Sequence, residues 1–266
     1  MSMDDHSGKA VLVVGGTSGI NLGIALAFAR AGAHVAVVSR SPDKVAAAVQ
    51  QLRALAAPGA RMEGFSADVR DAPAVAAVLA QAHAALGDLD VLVSGAAGNF
   101  VAPALGMSPN AFRTVVDIDL NGSFNVLRQA HPYLRKPGAS LISISASQSY
   151  TPTKYQAHVC AAKAGVDMLT RVLALEWGAD GIRVNSIVPG PIGDTEGIRR
   201  LAPTPEARQR MADLVPLKRM GSLEEVADMA LFLGSARARY VTGAIIPVDG
   251  GISLVGGRDL SAGLNP

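Results

Sequence analysis

The chain has 266 residues, 49% of them hydrophobic and 17% charged, enough apolar material for one large buried core. Its 24 basic residues nearly balance 22 acidic ones, a net charge of +2, so no broad field marks a nucleic-acid or anionic-membrane binder. One cysteine, Cys160, excludes a disulfide framework and a thiolate cluster, and no metal site is expected.

The polar N-terminus does not read as a secretory or transit leader. Residues 1–8 are expected to form a flexible tail, followed by one domain over 9–254 and a second tail over 255–266. Short β-branched apolar runs near 10–15, 34–38, 61–66, 89–94, 139–145, 182–188 and 244–248 predict strands. Alanine-rich stretches of helical period near 20–31, 42–56, 72–86, 108–135, 155–179 and 222–234 predict helices between them. The strands are apolar enough to be buried on both faces, and right-handed crossovers join such strands in parallel. The expected fold is α/β: a single-domain, Rossmann-like, doubly wound parallel sheet with helices on both faces and the ligand outside the strands' carboxyl ends. Residues 190–220 break the alternation, with Pro191, Pro203, Pro205 and Pro216 among Arg199, Arg200, Arg208 and Arg210. So long an excursion reads as a substrate lid. No segment approaches the roughly 20 uninterrupted apolar residues that cross a bilayer. A cytoplasmic protein with neither membrane nor nucleic-acid partner is expected.

The first βα junction carries Gly15, Gly16, Thr17, Ser18, Gly19 and Ile20. A glycine-rich turn between a strand and a helix lets a pyrophosphate approach backbone amides at the positive end of the helix dipole, so these six positions are expected to bind a dinucleotide. The second strand ends at Ser39-Arg40 without the carboxylate that would accept hydrogen bonds from an adenosine ribose. Arg40 and Lys44 place positive charge where a 2′-phosphate would lie, and NADPH is the expected cofactor.

These segments, with Ala96-Ala97-Gly98-Asn99-Phe100, Cys160-Ala161-Ala162-Lys163 and Pro189-Gly190-Pro191-Ile192, resemble the short-chain dehydrogenase/reductase family. The family's threonine and last turn glycine are replaced by Val14 and Asn21, and Gly95 stands where many members have asparagine. The resemblance implies that Asp68 contacts the adenine, that Ala96, Gly98, Pro189, Gly190, Pro191, Ile192 and Thr195 flank the cofactor, and that Lys163 holds the nicotinamide ribose. It also implies a homotetramer built on the long helices.

The family's catalytic tyrosine position is Val159, its serine position Ala146 and its helix asparagine position Asp119. That pattern, together with Asn110 to Asp119 and Thr195-Glu196-Gly197, resembles the 2,4-dienoyl-CoA reductase subfamily, especially its peroxisomal type. The resemblance implies that Asp119 and Lys163 are catalytic and that Arg40, Arg70, Phe100, Ser108, Asn110 and Arg200 contact an acyl-CoA substrate. Chemistry agrees. A ketone reductase needs an acid at oxygen, whereas hydride addition to a conjugated dienoyl thioester spreads charge to the thioester oxygen and can await protonation at carbon by a water that Asp119 positions. One alternative is a carbonyl or alcohol oxidoreductase using Tyr150 or Tyr155 as a displaced acid. Another is an NADPH-binding protein without turnover. His158, beside the vacant position, reads as a packed or interface histidine.

Overall fold

Alternation along each strand decides which side of the sheet every helix covers. The computed structural model describes residues 5–255, except the side chains of Arg200 and Leu201. Strands β1 (Ala10–Val14), β2 (His34–Ser39), β3 (Met62–Ser66), β4 (Val91–Ser94), β5 (Ser140–Ile144), β6 (Arg183–Pro189) and β7 (Ile245–Val248) pair in parallel in the order β3-β2-β1-β4-β5-β6-β7. Val11 of β1 lies opposite Val35 of β2 on one side and Val91 of β4 on the other. In β1, Val11 and Val13 enter one core while Ala10, Leu12 and Val14 enter the other, as a side-chain period of two requires.

The first core is filled by α1 (Gly19–Arg30), α2 (Pro42–Leu55) and α9 (Leu223–Gly234), through Ile24, Phe28, Val45, Leu52, Val226 and Leu233. The opposite core receives Val75 and Leu79 of α3 (Ala72–Leu86), Val126 and Leu127 of α5 (Gly122–Ala130), and Leu173 of α6 (Ala157–Trp177). Each large side chain buried in this way contributes about 1.5–3 kcal/mol. The expected layers, and strands and helices close to the expected bounds, are therefore present.

Three local features depart from the expectation. The predicted helix over 108–135 is broken into α4 (Pro109–Val116), a π-helical turn over Asp117–Asn121, and α5. Residues 5–8 are not a free tail: His6 is buried, its amide donates to the Ala31 carbonyl at 2.9 Å, and its ring meets Phe28 edge-on. Residues 1–4 and 256–266 lie outside the described residues. The 190–220 excursion holds two short helices, α7 (Glu196–Leu201) and α8 (Pro205–Leu214), and its two ends meet through Gly193 N to Gly221 O at 2.9 Å and Gly221 N to Pro191 O at 3.0 Å.

Candidate active site

The strand order reverses between β1 and β4, so their following segments turn apart and leave a crevice at the carboxyl ends. There Gly15, Thr17, Ser18, Arg40, Lys44, Asp68, Ala96 and Gly98 line one cavity of about 480 Å³. Gly15 has φ +80°, and a Cβ on it would lie 2.8 Å from the Ala96 amide nitrogen, so only glycine permits this approach of the turn to β4. Gly16, Gly19 and Ile20 complete the turn and open α1 without lining the cavity. Ser41 caps α2, accepting from the Lys44 amide, and so sets Lys44 in the first turn beside Arg40 at the cavity.

Asn21, the departure from the family's glycine, is explained by its neighbour across the crevice. Its Nδ2 donates to the Gly95 carbonyl at 2.7 Å, and a Cβ on Gly95 would overlap the Asn21 amide. The amide missing at position 95 is thus supplied from position 21. Pro189 ends β6 and leads through Gly190, Pro191 and Ile192 to Thr195, which caps α7 by accepting from Ile198 N at 3.3 Å. The next residue, Glu196, which sequence reasoning missed, also lines the cavity.

At the inner end, the π-helical turn carries Asp119, which is 1% exposed. Its carbonyl is satisfied by Ser123 Oγ at 2.6 Å, and its Oδ1 accepts from the Gly98 amide at 2.7 Å. Lys163, also buried, donates to the Ile144 carbonyl at 3.0 Å and places Nζ 3.3 Å from Asp119 Oδ2. Gly165 lets α6 lie close to the π-helical turn: a Cβ there would stand 2.7 Å from Leu120 Cδ2, so the leucine side chain would have to shift. Asp119 Oδ2 accepts no hydrogen bond of good geometry among the described residues, although it is ion-paired. Such a lone pair suits a bound water or ligand. Val159 occupies the tyrosine position, buried, with hydrocarbon alone to offer.

The substrate-side residues are less concentrated. Arg70 is engaged by Asp68 at 2.6 Å, which holds the Asp68 carboxyl down to about 2 and leaves the guanidinium less free for a phosphate than expected. Arg40 sits in the cofactor cavity. Phe100 stacks on His158 with ring centroids 4.1 Å apart, and Gln156 Nε2, missed in the sequence, donates to the Phe100 carbonyl at 2.7 Å. Ser108 caps α4 and Asn110 is an exposed residue of its first turn. The Arg200 side chain lies outside the described residues. In the excursion, Arg199 and Arg208 donate to the Asp194 and Ala202 carbonyls, so part of the expected basic rim binds its own backbone. Tyr150 and Tyr155 are both exposed, and no hydrogen bond joins either hydroxyl to Asp119 or Lys163 among the described residues.

The residues present fit a dinucleotide: a positive-φ glycine turn stands at a helix N-terminus, and Arg40 after β2 and Lys44 in α2 line the same cavity. Fold and site together define the class, and the chain belongs to the short-chain dehydrogenase/reductase family of oxidoreductases. The sequence model of the family described as Enoyl-(Acyl carrier protein) reductase matches residues 14–253. A (3E)-enoyl-CoA-producing peroxisomal 2,4-dienoyl-CoA reductase of Rattus norvegicus is 45% identical over 91% of this chain and 83% of its own. A probable (2E)-enoyl-CoA-producing 2,4-dienoyl-CoA reductase of Bacillus subtilis (strain 168) is 37% identical over 91% and 96%. Among solved structures, a short-chain type dehydrogenase/reductase from Mycobacterium ulcerans superimposes with a TM-score of 0.90 at 37% identity, covering 98% of this chain and 95% of that one.

Proposed function

We propose that the chain is an NADPH-dependent 2,4-dienoyl-CoA reductase. The observation that carries this reading is the buried Asp119–Lys163 pair, 3.3 Å apart, beside a valine in the place of a phenol. The names of the relatives support the substrate class. Reduced nicotinamide, when bound, supplies the hydride. Gly15, Thr17 and Ser18 would hold the pyrophosphate, and Arg40 and Lys44 the 2′-phosphate. Lys163 orients the reacting end and adds positive potential, while Asp119 fixes the Ala96–Phe100 segment through Gly98 and offers Oδ2 to the water that protonates the substrate carbon. Arg70, Phe100, Ser108, Asn110 and Arg200 belong to the acyl-CoA side of the same proposal. So do a homotetrameric assembly and a cytoplasmic setting, the latter suited to the free Cys160.

The test is NADPH oxidation with a 2,4-dienoyl-CoA, a 2-enoyl-CoA and a 3-ketoacyl-CoA under identical conditions. Preferential turnover of the dienoyl thioester is expected. Preference for the ketone would favour the displaced-tyrosine reading, and binding without turnover would favour a nucleotide sensor. Arg40→Asp should lower the preference for NADPH over NADH by at least about tenfold, the effect of losing one charge-assisted phosphate contact; an unaltered ratio of kcat/KM values would place 2′-phosphate recognition elsewhere.

A further inference from the structure

Helix α6 carries Lys163, whose Nζ must reach two partners at once: the Ile144 carbonyl at 3.0 Å and Asp119 Oδ2 at 3.3 Å. The hydrocarbon on the inner face of the helix is a poor guide to that position. Val159, Ala162, Val166, Leu173 and Ala174 are buried there, and apolar contact has no direction. The outer face gives no help within the chain, because Met168, Val172 and Leu175 are exposed. Beside the buried hydrocarbon runs a polar row that the proposed reaction leaves unused. Asp167 is 4% exposed, one turn beyond Lys163, and its Oδ1 accepts from Ser186 Oγ of β6 at 3.0 Å. The Ser186 hydroxyl has a second acceptor in reach, the Ser143 carbonyl at 3.4 Å, and the carboxyl is the nearer of the two. Thr170, also buried, follows on the next turn and donates to Ser143 Oγ of β5 at 3.3 Å. Positions 163, 167 and 170 share one helix face by their spacing of four and three, so directional bonds tie α6 to β5 and β6 at three successive turns.

We propose that Asp167 is a positioning residue for the reaction: through Ser186 it fixes the register of α6 on the sheet, and so holds Lys163 between the Ile144 carbonyl and Asp119. The kinetic consequence rests on the dienoyl-thioester reading; the placement of Lys163 does not. A buried carboxyl is costly to desolvate, and an apolar side chain of similar volume would avoid that cost. The best-attested gain from keeping such a group inside a protein is a single register between packed elements. Hydrogen bonds enforce one because they weaken steeply with distance and angle, whereas hydrocarbon tolerates a slide. Displacement of α6 by roughly an ångström would take Lys163 Nζ out of reach of at least one partner, and misplacement on that scale lowers a rate by about 100-fold.

Asp167→Leu keeps the volume and removes the acceptor, while Asp167→Asn keeps a side-chain oxygen for Ser186. With 2,4-dienoyl-CoA, kcat should fall about 10- to 100-fold in D167L and largely recover in D167N. The melting temperature of D167L should stay at or above that of the wild type, since a packed apolar side chain in place of a buried polar one is commonly neutral or stabilising. Ser186→Ala removes the donor from the other side and should lower kcat in the same direction, with no further loss when combined with D167L. A readout free of substrate is carbon-13 NMR of labelled lysines in the full chain: the Lys163 ε-carbon signal, assigned by its loss in Lys163→Arg, should move in D167L and return in D167N. Should D167L not fold, S186A carries both readouts. Wild-type kcat and an unmoved Lys163 signal in D167L or S186A would overturn the proposal. A lowered melting temperature with kcat intact would do the same, making Asp167 a packing residue. Equal kcat losses in D167N and D167L with the signal unmoved would assign the effect to charge and not to register, again against the proposal. A wild type that ignores the dienoyl thioester but reduces the ketone would remove the functional reading alone, and the Lys163 signal would still decide the positioning role.

Discussion

Asp119 is the residue on which the site turns. It holds Gly98 with one oxygen and faces Lys163 with the other. Asp119→Ala should lower kcat for dienoyl reduction at least ~100-fold, the scale of a lost acid–base group, while fluorescence titration should show NADPH binding unchanged. Unaffected turnover would assign proton management to another group. A second residue-scale feature is the Asn21–Gly95 exchange. Gly95→Asn should cost about 1–3 kcal/mol, because its Cβ overlaps the Asn21 amide. Adding Asn21→Gly should recover most of that loss, a coupling of about 0.5–3 kcal/mol in a double-mutant cycle measured by urea denaturation. Both positions were visible as departures from a family pattern. Their compensation was not, because nothing local connects residues 74 apart in the chain.

At the scale of elements, the π-helical turn shows what periodicity alone misses. Apolar spacing over 108–135 reads as one helix, yet Asp117–Asn121 takes an extra residue into the turn where Asp119 meets Gly98 and Lys163. Single-turn π segments inside helices recur at functional sites. Helix α9 is the opposite case, with its start written in Ser222 and Glu225. Ser222 Oγ accepts from the Glu225 amide at 3.3 Å, and a Glu225 carboxylate oxygen accepts from the Ser222 amide at 2.8 Å. Ser222→Ala should cost ~1 kcal/mol in chemical denaturation. Arg219 holds the Glu225 carboxyl down to about 2 against an ordinary 4.5. A depressed carboxylate stabilises above its unfolded range and loses that contribution as pH falls toward the folded value. The stability difference between wild type and Glu225→Gln, which removes the charge and leaves Ser222 in place, should therefore persist at neutral pH and narrow on strong acidification; a difference growing in acid would contradict this account of the cap.

At the scale of the molecule, large side chains remain exposed along α4, α5 and α6: Phe112, Phe124, Met168, Val172 and, at 86% exposure, Leu175. Scattered apolar residues need no partner, but a row of them on neighbouring helices fits the tetrameric assembly proposed above. Light scattering should give a mass near four chains, and Leu175→Glu should shift it to a smaller species. A wild-type monomer at micromolar concentration would remove the tetramer from the proposal.

What the chain alone determined is its layered architecture and the outer half of its site. Period-two strands, helical stretches, the turn at Gly15 to Ile20 and the Arg40–Lys44 pair are local patterns, and local periodicity suffices to place them. What only the tertiary structure decided is which distant groups meet. Lys163 faces Asp119 where α6 lies close to Leu120 at Gly165; Arg70 closes on Asp68; and His158 is buried beneath Phe100. Such pairings depend on close approach across the packed fold, where a single absent Cβ changes which side chains touch, and spacing along the chain carries no record of it.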